Sequence, residues 1–221
     1  MLLKSKLTRR HWLLGAGAAA LCASVGITFR GAAAATQLTP TPAQTEGPFY
    51  PRRFPDDVDD DLVQIKGQPG QARGTIAHIQ GRVLDVSGAA IAGARVEIWQ
   101  CDALGRYHHV DDGADPGGRD PFFQGYGRTV SGADGGYRFR TIRPVAYPGR
   151  TPHIHFAVQA PGRTRLVTQM YVAGEAQNER DFVLRRIRAQ AVKAGAIVEL
   201  RPAAGAPLGT LVGTFDLVLA K

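Results

Sequence analysis

The chain has 221 residues, with 27 Lys and Arg against 19 Asp and Glu, and a hydrophobic share of 44%. That is enough to bury the core of one domain and leave room for a leader. The formal charge of +8 resembles a nucleic-acid footprint, but Lys4, Lys6, Arg9, Arg10 and Arg30 all fall in the first 35 residues; 27 less these five leaves 22 basic residues against 19 acidic ones, and no nucleic-acid partner is expected.

Residues 1–35 read as an export leader. The first ten positions are basic without an acid, and Trp12 to Phe29 is an apolar run rich in Gly and Ala. Thr8-Arg9-Arg10-His11-Trp12-Leu13-Leu14 resembles a twin-arginine signal, and Ala32 to Ala35 supply small residues for cleavage. The expectation is a signal peptide over 1–35, the twin-arginine export machinery as partner, and a periplasmic or extracellular location. An uncleaved membrane anchor is the alternative, for which Gly15, Gly17 and Gly26 leave the run weakly hydrophobic. Once the leader is removed, Cys101 is the only cysteine, which excludes an intrachain disulfide and predicts a buried, inert thiol beside Trp99.

Residues 36–75 are rich in Pro, Gly, Gln and Asp and lack periodicity, so they should wrap the domain as an extended strap. Within them, Thr45 to Pro51 reads either as a strap held by aromatic burial or as a pocket wall. Asp56, Asp57, Asp59, Asp60 and Asp61 lack the Gly and Glu of a calcium loop and read as a solvated acidic segment.

From Ile76 the pattern becomes short strands between Gly turns. Strands are expected over 76–85, over 94–100 with Val96 and Ile98 facing opposite to Glu97 and Trp99, and over 137–142 after the Asp134-Gly135-Gly136 turn. Further strands follow at 153–159, 166–172, 197–200 and 210–219. Asn178 to Lys193 is the one plausible helix. Together these predict an all-β fold, a β-sandwich over 76–221 with the strap and at most one short helix.

The densest chemistry lies in Tyr147-Pro148-Gly149-Arg150-Thr151-Pro152-His153-Ile154-His155. Side chains alternate along a strand, so His153 and His155 share one face while Ile154, Phe156 and Val158 face the core. Pro148-Gly149 makes a tight turn that folds Tyr147 back towards the imidazoles. With Tyr107 upstream, two phenols and two imidazoles form a set of hard oxygen and borderline nitrogen donors. His108 and His109 read as exposed loop residues.

The ordered series of segments 45–51, 96–103, 105–107, 125–129, 136–144, 147–156 and 166–171 is similar to the intradiol ring-cleavage dioxygenases, typified by catechol 1,2-dioxygenase and protocatechuate 3,4-dioxygenase. The resemblance implies that Tyr107, Tyr147, His153 and His155 ligate Fe(3+) and that Arg150 and Gln169 are catalytic, with Tyr147 also accepting a substrate proton. It implies a small aromatic diol and O2 as substrates and a cis,cis-muconate-type diacid as product. Two departures stand out: only five residues separate Tyr147 from His153, and Gly149 replaces a bulky aromatic. Both point to a more open pocket. Self-association into a homo-oligomer is left open.

The residue types suit ferric iron. Phenolate oxygen is a hard anionic donor, and coordination lets a tyrosine of ordinary pKa about 10 lose its proton. A ferrous oxygen-activating site would present two histidines and a carboxylate, and a zinc site Cys, His or carboxylate. The rival readings are a secreted, non-catalytic β-sandwich binding module of transthyretin-like or carboxypeptidase-regulatory-like type, favoured by residues 81–97, and an exported zinc hydrolase.

Overall fold

In a computed structural model, residues 37–112 and 118–220 are described; the leader expected over 1–35 lies outside them. The expected alternation builds two five-stranded sheets. The first is organised on β1 (Ile76–Asp85), with β4 (Gly136–Ile142) antiparallel along one edge. Along the other edge run β9 (Leu211–Thr214) and β10 (Leu217–Leu219), both parallel to β1 and in one register, with Ala77 opposite Leu211 and Val83 opposite Leu217. The two-residue β8 (Arg201–Pro202) pairs with β9.

The ladder breaks at Phe215 and Asp216 for a steric reason. The Phe215 carbonyl approaches Gly81 so closely that a Cβ there would lie 2.1 Å from its oxygen. Tyr137 donates its hydroxyl proton to the same carbonyl, and Arg82 N donates to Asp216 Oδ1 at 2.9 Å. Gly81 is therefore fixed by packing, not by its dihedral freedom.

The second sheet runs β3 (Tyr126–Val130), β2 (Arg95–Trp99), β5 (His153–Gln159), β6 (Leu166–Val172), β7 (Ile197–Val198), with only the β6–β7 pair parallel. Strand β5 is central, and all but its last residue is buried. Ile154, Phe156 and Val158 pack with Val96, Ile98 and Met170 against Ile79, Val83 and Phe139 of the first sheet. Each such side chain contributes roughly 1.5–3 kcal/mol on burial. Trp99 and Ala157 face the other way, into a second cluster with Cys101, Tyr107, Tyr126, Phe49 and Tyr50.

The strap closes that second face and stitches the sheets together. Asp59 O accepts from Arg128 N on β3 at 2.8 Å, and Asp60 O from Arg140 N on β4 at 2.7 Å. The Asp61 carboxylate pairs with Arg140 at 2.8 Å. The acidic segment expected to be merely solvated thus joins two strand edges, its carboxylates satisfying backbone N–H groups such as Lys66 N.

The helix expected over 178–193 is replaced by two 3-10 turns, Ala176–Glu179 and Leu184–Arg186, and a short α1 (Gln190–Gly195). Asp181 stops it: its buried carboxylate accepts from Val183 N and Leu184 N, an alternative to helical bonding. Strand β3 was not expected, because Gly125 and Gly127 interrupt its alternation.

Candidate metal centre

Each candidate donor is placed by a local device. Tyr147 to Arg150 forms a turn closed by Arg150 N donating to Tyr147 O at 2.9 Å, with Pro148 second and Gly149 third at φ +80°. That is a type II turn, which requires a residue tolerant of positive φ at the third position. It turns Tyr147 back, so that its ring centroid lies 5.5 Å from that of His153.

Tyr107 is placed by Asp102, whose carboxylate is fully buried. Asp102 Oδ1 accepts from Leu104 N at 2.8 Å and Arg106 N at 3.0 Å, and Oδ2 from Asp120 N at 2.8 Å. Burial opposes its charge, yet His108 and these backbone donors hold the carboxyl below its usual range. The tight turn delivers Tyr107 under Phe49, whose ring stacks on it at 4.4 Å and 22°. The two tyrosine rings meet edge to face at 5.4 Å.

The histidines are set by strand register. His155 lies between Trp99 on β2 and Gln169 on β6, and His153 opposite Tyr171. Trp99 covers the His155 ring at 4.8 Å and 11°. His153 Nδ1 lies 2.6 Å from Thr151 O; a carbonyl only accepts, so Nδ1 carries the proton and Nε2 a lone pair. That Nε2 faces Nε2 of His155 at 3.2 Å.

The electrostatics match a ligand set. Burial, then the charge of Arg150, pushes His153 down to about 4, and burial with His153 and Arg150 pushes His155 well below its ordinary value. Both imidazoles are neutral near pH 7. Burial raises Tyr107 far above its usual pKa, and the neighbouring Tyr147 adds to this. Among the described residues the Tyr107 hydroxyl, although buried, has no hydrogen-bond partner. Burial raises Tyr147 too, but Arg150 opposes the shift, its Nη1 donating to the Tyr147 hydroxyl at 3.4 Å.

These residues fit a trivalent hard cation. A buried phenol without a partner among the described residues, its ring 6.2 Å from that of His155, and two imidazoles with facing ring nitrogens make a costly arrangement that a cation resolves by accepting from all of them. Among the described residues no group of three or more His, Cys, Asp or Glu is assembled; the candidate donors here are phenols and imidazoles.

Arg150 and Gln169 join the same cluster. Arg150 Nη2 donates to Gln169 Oε1 at 2.5 Å, and Gln169 Nε2 to Thr45 O at 3.0 Å. Gln169 Oε1 also accepts from Tyr171 at 3.0 Å, and Gln44 Nε2 donates to the Tyr171 hydroxyl at 2.8 Å. Thr45 to Pro51 is therefore a wall of the site. Tyr50 donates to Glu97 at 3.1 Å, and Arg165 pairs with Glu46 at 2.7 Å, fastening that wall to the sheet.

His109, expected to be exposed, is buried, with its Nδ1 accepting from Asp111 N at 3.1 Å; His108 is exposed as expected. Cys101 is buried, its thiol pushed up to about 12 by burial and by Asp102. The residues that sequence reasoning missed are Asp102, Asp181 and Gln44. Only Asp102 carried a local signal, as an Asp opening a Gly-containing turn.

A family described as Dioxygenase matches residues 45–221. The chain is 42% identical to the protocatechuate 3,4-dioxygenase beta chain of Burkholderia cepacia over 53% of either chain. In structure it resembles the dioxygenase domain of a dioxygenase and carbohydrate-binding protein fusion from Streptomyces sp. SirexAA-E, with TM-score 0.64, 32% identity and coverage of 82% of this chain and 99% of that one. It also resembles catechol 1,2-dioxygenase from Acinetobacter sp. ADP1, with TM-score 0.63, 28% identity and coverage of 82% and 63%. The chain spans about half the length of the curated relatives it matches. With its two-sheet architecture and this match across the strap and both sheets, the chain belongs to the intradiol dioxygenase family.

Proposed function

We propose that this protein is a ferric-iron dioxygenase that cleaves a catechol-type ring between its two vicinal hydroxyls. Both atoms of O2 enter the product, a cis,cis-muconate-type diacid. The observation that supports the reading is a buried Tyr107 hydroxyl without a partner among the described residues, on a ring 6.2 Å from that of His155, whose Nε2 faces Nε2 of His153. Tyr107, Tyr147, His153 and His155 would hold the metal. When bound, Fe(3+) supplies Lewis-acid activation of the diol.

The chain's own residues do the rest. Tyr147 is the less buried phenol and the one Arg150 contacts; having lost its own proton as a ligand, it would be suited to take the proton of a substrate hydroxyl. Arg150 keeps a fixed positive charge beside that phenol, placed to stabilise negative charge developing on the ring. Gln169 holds Arg150 and the strap wall together, a positioning task that goes with the place beside the substrate that the resemblance implies. The wall from Thr45 to Pro51 excludes water.

The same reading keeps residues 1–35 as a twin-arginine leader, 36–75 as strap and 76–221 as catalytic sandwich, with the protein exported to the periplasm or beyond. The non-catalytic binding module gives no account of the converging donors.

Oxygen uptake by the iron-loaded protein across a panel of catechols, with product identification, tests the reading. Expected are a phenolate-to-iron absorption band and a muconate-type product. Colourless iron-loaded protein, or cleavage beside the diol instead of between its hydroxyls, overturns it.

A further inference from the structure

The Arg150 guanidinium is planar, with three donor edges. Its Nε donates to Asp181 Oδ2 at 2.8 Å and its Nη2 to Gln169 Oε1 at 2.5 Å. With two directions of a rigid plane fixed, the third is fixed too, and Nη1 points at the Tyr147 hydroxyl.

Asp181 is itself immobilised. Its side chain is 0% exposed, Oδ2 also accepts from Thr151 N at 3.1 Å, and Oδ1 accepts from Val183 N at 3.0 Å and Leu184 N at 2.9 Å. Three residues earlier, Asn178 Oδ1 accepts from Thr151 Oγ1 at 2.8 Å, while its Nδ2 donates to Val172 O at 2.8 Å. Thr151 is thus gripped by backbone and side chain, and its carbonyl orients His153. Phe182 lies over the guanidinium at 5.4 Å. Asn178, Asp181 and Phe182 form a brace across the segment that carries Arg150 and His153.

We propose that Asp181 is the positioning residue of this site: it orients Arg150 towards Tyr147, and the brace from Asn178 to Leu184 transmits that orientation to the reaction. The inference rests on the dioxygenase reading, but its geometric half is readable without metal or turnover.

In Asp181→Asn the asparagine oxygen can still accept from Val183 N and Leu184 N, but its amide turns donors towards the Arg150 Nε–H and the Thr151 N–H and releases the guanidinium. In the metal-free protein, the Arg150 Nε–H resonance should be exchange-protected in the wild type and lose that protection in D181N. In the iron-loaded protein, kcat should fall roughly tenfold to a hundredfold, as for a misplaced catalytic group, with iron content kept and the phenolate-to-iron band shifted. In an Arg150→Ala background, D181N should cost several times less in kcat than in the wild type, because coupled residues are non-additive.

An unprotected Arg150 Nε–H in the wild type, an unchanged kcat and band in D181N, or an equal loss in both backgrounds overturns the inference. Should D181N not fold, Asp181→Glu keeps the charge and displaces it by one methylene; an unchanged band and kcat in that variant overturn it equally. A wild type that cleaves no catechol sinks the dioxygenase reading alone, leaving the resonance test standing.

Discussion

The indole of Trp99 lies parallel to the imidazole of His155, 4.8 Å away, because the two residues face each other across the β2–β5 pair. A core side chain thereby fixes the plane of a candidate ligand. Trp99→Ala should destabilise the fold by about 3–5 kcal/mol, as expected for a buried tryptophan, and should also lower iron stoichiometry. Urea unfolding and metal analysis check both. A variant that is destabilised but binds iron normally would show that Trp99 does not orient His155.

The two phenols should separate stability from metal binding. The Tyr107 hydroxyl is buried without a partner among the described residues, and such a group costs about 1–3 kcal/mol. Tyr107→Phe should therefore leave the iron-free protein as stable as the wild type or more so, while weakening and shifting the absorption band to what Tyr147 alone supports. Tyr147→Phe, which removes the acceptor of Arg150, should weaken iron binding without that gain. Thermal unfolding of both metal-free variants decides the matter.

Acid should act through the imidazoles. Burial and Arg150 lower His153 from its ordinary 6.5 to about 4, so the unfolded chain takes up a proton that the folded one refuses. The stability this contributes is full above pH 6.5 and is lost as pH falls towards about 4. It amounts to about 3 kcal/mol for His153, with His155 adding in the same direction. Unfolding of the iron-free protein at a series of pH values should show this decline, and His153→Gln should flatten it.

Gly81→Ala should be among the most damaging single-methyl additions, since the new Cβ meets a backbone carbonyl and not a movable side chain. Overpacking typically costs about 1–3 kcal/mol, and here the ladder beside β1 must part. A denaturation midpoint within error of wild type would refute the account of the Phe215 break.

Much of this could be read from residues alone where the signal is local. Strands Ile76–Asp85, His153–Gln159 and Leu166–Val172 fall on the expected bounds because each is an alternating or largely apolar run between turn residues. The Tyr147 turn and the shared face of His153 and His155 follow from Pro148-Gly149 and from strand geometry. Pairing across distance could not be read: Asp181 lies 31 residues from Arg150, and Gln44 lies 125 from Gln169. The loosely spaced apolar residues of 178–193 suggested a helix, but Asn178 and Asp181 are committed to Thr151 and Arg150, and Asp181 also takes Val183 N out of helical bonding.

The partnership of β1 with Leu211–Leu219 bears on how the molecule assembles. A nascent chain cannot complete its first sheet until residue 219 has left the ribosome, and until then one flank of Ile76–Asp85 offers bare amide and carbonyl groups to any passing strand. Joining segments so far apart in sequence makes folding slow and holdase protection valuable, and trimming back from Leu219 would leave that flank permanently open to aggregation.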